Sequence, residues 1–198
     1  MKVLVACEYS GIVRDAFTAL GHDAWSCDIL PTESKGNHIQ DDILKHLDKG
    51  WDLMIAHPPC THLAVSGARW FTSGHKPISL QIESLEFVKK LMNAPINKIA
   101  IENPVSVIST KIKKPTQIIQ PFHYGHKVRK TTCLWLKNLP KLIPTNIVEP
   151  EMITKNGYTM SKFHYDTFRL PSSIRGKIRS RFYEGIAEAM ANQWGKND

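Results

Sequence analysis

The sequence predicts an α/β fold with a mostly parallel central sheet covered by helices on both faces. Three observations carry that prediction. Short apolar runs alternate with stretches of helical periodicity through the first hundred residues. The connections between them are short, as right-handed βαβ units require. Four of the runs end in polar or proline residues, the pattern of strand ends that open onto a ligand site. The 198 residues are most economically one domain, long enough to bury a sizeable core.

Taken in order, "KVLVA" (Lys2 to Ala6) reads as a buried strand. The following segment places Ile12, Val13, Ala16, Phe17 and Leu20 at helical spacing, with Gly21 as a stop. "DAWSCDI" is a second strand ending at Asp28, "DDILKHLDKG" a short helix closed by Gly50, and "WDLMIAH" another strand. From Ile78 to Asn93 a helical stripe runs through Ile82, Leu85, Val88 and Leu91. "KIAIENP" is then a strand that Pro104 ends, and "TTCLWL" (Thr131 to Leu136) one more. Between Lys141 and Leu170 neither helix nor strand is expected, only loop with Gly157 at a turn. The last stretch reads as a helix pair or one broken helix. Ser172 or Ser173 is its expected cap, and Ile186, Ala187, Met190 and Trp194 form an apolar face.

The N-terminal apolar run is too short for a signal-peptide core or a membrane span, so a cytoplasmic protein is expected. The cysteines Cys7, Cys27, Cys60 and Cys133 fit neither a disulfide scaffold nor a Cys-x-x-Cys metal site, and no metal is expected. A net charge of +8 points to a polyanionic partner, nucleic acid being the commonest. The basic clusters Lys111 to Lys114, His126 to Lys130 and Arg175 to Arg181 all lie in the second half, which favours a phosphate-binding face.

Cys7, Cys27 and Cys133 sit in strand patterns and read as small buried apolar residues. Cys60 is different. It follows Pro58-Pro59, which fix the backbone and cannot continue a sheet ladder, so the thiol stands at a rigid strand-to-loop corner. A nucleophilic thiol is commonly activated by cationic neighbours; His57, His62 and Arg69 are near in sequence. The segment Ser66 to Gly74, rich in small residues, suits a lid. Glu102 is placed at the end of what should be a neighbouring strand.

These pieces resemble the DNA cytosine methyltransferases that modify carbon 5. That family carries Pro-Pro-Cys after its fourth strand and Glu-Asn-Val after its fifth; here they stand as Pro58-Pro59-Cys60 and Glu102-Asn103-Pro104. The resemblance covers roughly residues 1 to 136, and the compact form is similar to methyltransferase-like proteins of bacteriophages. It implies a Rossmann-like methyltransferase fold, S-adenosylmethionine as cofactor, DNA rather than RNA as substrate, and a bacterial host cell. It implies that Cys60 is the nucleophile, Glu102 the acid, Asn103 the residue that orients the loop, and Arg129 a holder of the flipped base. The implied cofactor set is Cys7, Glu8, Tyr9, Ser10 and Gly11 in the first loop, Asp28 and Ile29 at the ribose, Asp42 and Ile43 at the adenine, and Pro58.

Departures from the family are also visible. The glycine-rich first loop is here "ACEYSGI", the Gln-x-Arg-x-Arg signature is absent, and Gly185-Ile186-Ala187 stands for Gly-Asn-Ala. About 137–171 would be a short insertion where a full target-recognition domain is expected. Recognition would then be short, weak, or supplied by a partner or a second copy. The alternative reading is a methyltransferase-derived protein that binds nucleic acid or cofactor without turnover, as a decoy or regulatory factor. A third keeps Cys60 but takes another one-carbon donor or a free nucleotide; the three basic clusters weigh against a free nucleotide.

Overall fold

The computed structural model describes residues 1–196. Seven strands form the central sheet: β1 (Lys2–Ala6), β2 (Asp23–Asp28), β3 (His38–Gln40), β4 (Leu53–Ala56), β5 (Lys98–Pro104), β6 (Gln117–Ile119) and β7 (Thr132–Lys137). Their order is β3-β2-β1-β4-β5-β7-β6. The pairs among β1 to β5 are parallel, while β7 runs antiparallel to both β5 and β6. The helices are α1 (Ile12–Ala19), α2 (Arg69–Thr72), α3 (Ile78–Met92), α4 (Ile108–Lys111), α5 (Lys162–Phe168), α6 (Ser172–Ser180) and α7 (Glu184–Trp194). A two-stranded hairpin, β8 (Met152–Lys155) and β9 (Tyr158–Ser161), stands apart from the main sheet. This is the Rossmann-like α/β class expected from the sequence.

Strand alternation explains the two cores. In β1, Val3 and Val5 face one side and Leu4 and Ala6 the other, and all four are fully buried. The first side is covered by α1 and α7 through Val13, Phe17, Ile186, Met190 and Trp194. The second is covered by α3 through Val88 and Leu91, together with Trp51 and Trp135. No helix among the described residues is long and apolar enough to cross a membrane.

Several expectations are corrected. The helix expected over Asp41 to Gly50 is only a 3-10 turn, Ile43–Lys45. Asp42 caps it by accepting from Leu44 N at 3.0 Å, and Trp51 Nε1 takes the His46 carbonyl that a continuing helix would use. On α3 only Val88 and Leu91 are buried, and Ile82 is 53% exposed. Leu20 is exposed as well, whereas Arg14 on α1 is wholly buried. The C-terminal helices are a pair, and Pro171 rather than Ser172 or Ser173 occupies the N-cap of α6.

The segment from Lys141 to Leu170 holds the hairpin and α5, contrary to expectation. Asn156 and Gly157 have φ of +52° and +78°, the two positive values that a tight two-residue hairpin turn needs. Asn-Gly was the available signal. The flanking strands are four residues long and lack a buried alternating face, so periodicity did not reveal them.

Candidate active site

Strand register builds the centre of the site. Ala56 pairs with Ile101 across β4 and β5, so His57, just past the end of β4, stands beside Glu102, which is still paired with Leu134 of β7. Their side chains meet, with His57 Nδ1 3.1 Å from Glu102 Oε2, and both are nearly buried. Past His57 the two prolines turn the chain, and the Cys60 carbonyl accepts from Leu63 N and Ala64 N to close the corner. Asn103, itself buried, donates from Nδ2 to the Pro58 carbonyl at 2.8 Å, tying the β5 end to that corner. Val65 N donates to Val105 O and Val107 N to Leu63 O, so the base of the expected lid is stitched to the loop after β5.

Cys60 and Glu102 open onto one cavity of about 510 Å³, within the roughly 300–1,000 Å³ of small-molecule sites. Lys130 enters it from the loop before β7, and Arg175 and Arg179 from α6. Lys130 Nζ donates to the Arg179 carbonyl at 2.6 Å and lies 5.5 Å from the centre of the Tyr183 ring. Burial pulls the Lys130 ammonium below its usual range, while Glu102 and Cys60 pull it back up. Burial pushes the Cys60 thiol up, Glu102 adds to the rise, and Lys130 opposes it. The expected activation by His62 and Arg69 is absent: neither lines the cavity, and Arg69 lies over the Trp70 ring. The cation comes from far along the chain.

Arg129 is exposed and does not line this cavity; its neighbour Lys130 does. The basic run from His126 to Lys130 was visible in the sequence, but a loop without periodicity does not say which of its side chains turns inward. Arg175 and Arg179 belong to the third basic cluster. His57 was visible only as a neighbour of the prolines, and the sheet register is what gives it a partner.

A second, smaller cavity lies at the end of β1, lined by Cys7, Glu8, Tyr9 and Ser10 with His57 and Phe182. Its loop is shaped by a carboxylate where the family has glycines. Glu8 is buried and accepts from Val13 N at 2.7 Å, Arg14 N at 3.2 Å and Ser10 Oγ at 3.2 Å, so it caps α1. Cys7 adopts φ of +58°, a left-handed conformation that costs an L-residue about 1–2 kcal/mol. Gly11 has φ of +77°, and a Cβ there would collide with the Arg14 guanidinium and Ser34 Oγ.

The Arg14 guanidinium donates to Ser26 Oγ, Thr32 Oγ1 and the Lys35 carbonyl and pairs with Asp15 at 2.7 Å. It thereby pins the 32–36 loop onto α1. That loop brings Glu33 to Lys177 of α6 at 2.7 Å and to Arg181 at 3.5 Å. With this latch closed and Phe182 against His57, at 4.6 Å between ring centres, the cavity measures about 90 Å³.

The other expected cofactor residues fall outside both cavities, except Pro58, which lines the larger one. Asp28 accepts from Leu30 N at the end of β2, and Ile29 beside it is 74% exposed. The charges of Asp28 and Asp42 both reach Cys7 and help raise its thiol, after burial. Ile43 is packed in the core and offers no free face.

No protein-family model matches the chain, and no curated protein matches it. Among solved structures the chain is similar in outline to a protein described as a candidate DNA modification methyltransferase encoded within a prophage of E. coli. The match has 15% identity and a TM-score of 0.46, and covers 74% of this chain and 51% of that one. This chain spans about half the length of that protein.

Proposed function

We propose that the protein transfers a methyl group from S-adenosylmethionine to carbon 5 of cytosine in DNA, through a covalent adduct at Cys60. The observation that supports this reading is that Cys60, in the loop past β4, and Glu102, on the adjacent strand β5, line one cavity of about 510 Å³. Carbon 5 of cytosine is a poor nucleophile. Addition of the Cys60 sulfur at carbon 6 makes the ring an enamine that can attack an electrophilic methyl group, after which loss of the carbon 5 proton expels the Cys60 sulfur and restores the ring. Glu102 donates a proton to ring nitrogen 3 as that bond forms, a contribution of roughly 10² to 10⁴-fold. Lys130 favours the thiolate, and Asn103 holds the corner that carries it. The base leaves its stack to enter the cavity, and Arg175 and Arg179 lie at its α6 wall for the flanking phosphates.

The cofactor, when bound, supplies the electrophilic methyl group. Tyr9, Ser10 and Cys7 suit its methionine end, and Asp28, exposed Ile29 and Asp42 suit the nucleoside. Ile43 is left out, being core. Cys7, Tyr9 and Ser10 line the small cavity, whereas Asp28, Ile29 and Asp42 lie outside it, and a cavity of about 90 Å³ is below the roughly 300 Å³ that a small-molecule site needs. Loading therefore requires the Glu33 latch to release. In this reading residues 1–198 form one domain, with about 137–171 in place of a target-recognition domain and a second copy or partner completing recognition.

The test is an oligonucleotide carrying 5-fluorocytosine, incubated with the protein and S-adenosylmethionine. Fluorine in place of the departing hydrogen stalls elimination, so a covalent adduct should accumulate at Cys60 and be absent in Cys60→Ser. No adduct across varied sequence contexts, with the wild-type thiol intact, rejects the reading. The small volume of the β1 cavity and the commitment of Glu8 to its own helix favour a second reading, a nucleic-acid-binding protein without turnover. Calorimetry with S-adenosylmethionine separates a form that has lost the cofactor from an enzyme, and the adduct assay exposes one that binds it without reacting.

A further inference from the structure

His57 stands in the wall between the two cavities and lines both. Its Nδ1 is 3.1 Å from Glu102 Oε2, while its Nε2 is buried with no hydrogen-bond partner. Buried polar atoms without partners are rare, and they concentrate where a ligand or a mechanism needs them. The ring is held from one side by Phe182, and its backbone N–H is held by the Ala6 carbonyl. We propose that His57 is a positioning residue that dedicates one oxygen of Glu102 to the incoming base and offers its second nitrogen to the occupant of the small cavity. The proposal rests on the methyltransferase reading for the identity of both occupants.

The proposal places the proton on Nδ1. Glu102 Oε2 can accept from Nδ1–H whether the carboxyl is ionised or carries its proton on Oε1. One tautomer, with hydrogen on Nδ1, therefore serves Glu102 before and after it gives its proton to the base. Oε1 is left free to face the ring. In that neutral tautomer Nε2 is an acceptor, so the group that completes it is an N–H or O–H donor from the small cavity, such as an ammonium or a hydroxyl. Filling the small cavity would then hold the ring, and with it the carboxyl, in the working orientation.

The test uses protein labelled with 15N at histidine, read by long-range proton–nitrogen correlation, free and with saturating S-adenosylhomocysteine. The expected result is hydrogen on Nδ1 and a bare Nε2 in the free protein, with the Nε2 resonance moving toward a hydrogen-bonded position when the ligand is added. Hydrogen on Nε2 in the free protein, or an Nε2 resonance unmoved by a ligand that calorimetry shows to be bound, overturns the proposal. Two variants add a rescue test in the 5-fluorocytosine adduct assay. His57→Leu should slow adduct formation by about 10- to 100-fold, as loss of a hydrogen bond to a charged group does. His57→Asn, whose amide N–H can replace Nδ1–H, should recover most of that rate. Equal defects in the two variants count against positioning. A wild-type protein that forms no adduct fails the methyltransferase reading instead, and the tautomer, which needs no ligand, still decides the inference.

Discussion

The Asn103 side chain donates from Nδ2 to the Pro58 carbonyl at 2.8 Å, joining the end of β5 to the proline corner that presents Cys60. Because Asn103 is buried, the bond is shielded from water, and its loss leaves a carbonyl without a partner. Asn103→Ala is expected to lower stability by about 1–3 kcal/mol, seen as a lower urea midpoint with an unchanged slope. Cys60 adduct formation should fall with it, since the corner loses its tie.

Cys60 reactivity should report its neighbours. Burial and Glu102 raise the thiol and Lys130 lowers it, so the midpoint of alkylation by iodoacetamide is expected above the ordinary thiol range. Glu102→Gln should move that midpoint down, and Lys130→Met should move it up. Opposite movements would remove the electrostatic account of the site.

Stability should fall in alkali. Burial pushes Cys27 to about 11 and Tyr124 and Tyr183 to about 12, and raises Cys7 further. Each group binds its proton more tightly folded than unfolded, so its contribution is whole below the unfolded value, about 8.5 for a thiol, and is lost as pH climbs through the folded one. Cys60 and Cys133 are raised as well, and these six groups outnumber Lys130, Tyr165 and Arg179, which are lowered and have the opposite sign. Urea midpoints should decline steadily above about pH 8.5, and Tyr124→Phe should flatten the upper part of that decline.

Gly11→Ala is expected to be among the most damaging small substitutions in the chain. It adds a Cβ at φ of +77° and drives it into the Arg14 guanidinium. A loss of about 1–3 kcal/mol is expected by thermal or urea unfolding. Gly21→Ala serves as the control, for it shares the positive φ but meets nothing, so it should cost less.

The Glu33 latch should be separable from stability. Its partners are largely exposed, and exposed ion pairs add little to folding. A Lys177→Ala/Arg181→Ala variant is expected to keep its unfolding midpoint while binding S-adenosylmethionine faster in stopped-flow measurements. The wild-type association rate should rise with salt, because screening loosens the pair.

The parts of this site that were legible in the sequence are those that periodicity and strand ends reveal. β1, β4 and β5 are apolar runs, and the residues at or just past their ends single out Cys60 and Glu102. What stayed hidden depended on contacts between distant segments. Arg14 falls on the apolar face of α1, yet an arginine there reads as surface until the 32–36 loop supplies its acceptors. His57 gains meaning only from the Ala56–Ile101 register, and Lys130 from a loop that no repeat pattern orients. β3 and β6, at three residues each, are too short to show a pattern.

Helix α6 furnishes a wall to both chambers, with Ser180 touching each, Lys177 on the smaller and Arg175 and Arg179 on the larger. A swing of this helix that admits a molecule on one side necessarily redraws the doorway on the other. In the methyltransferase reading, filling one chamber would then alter access to the other through a single shared partition.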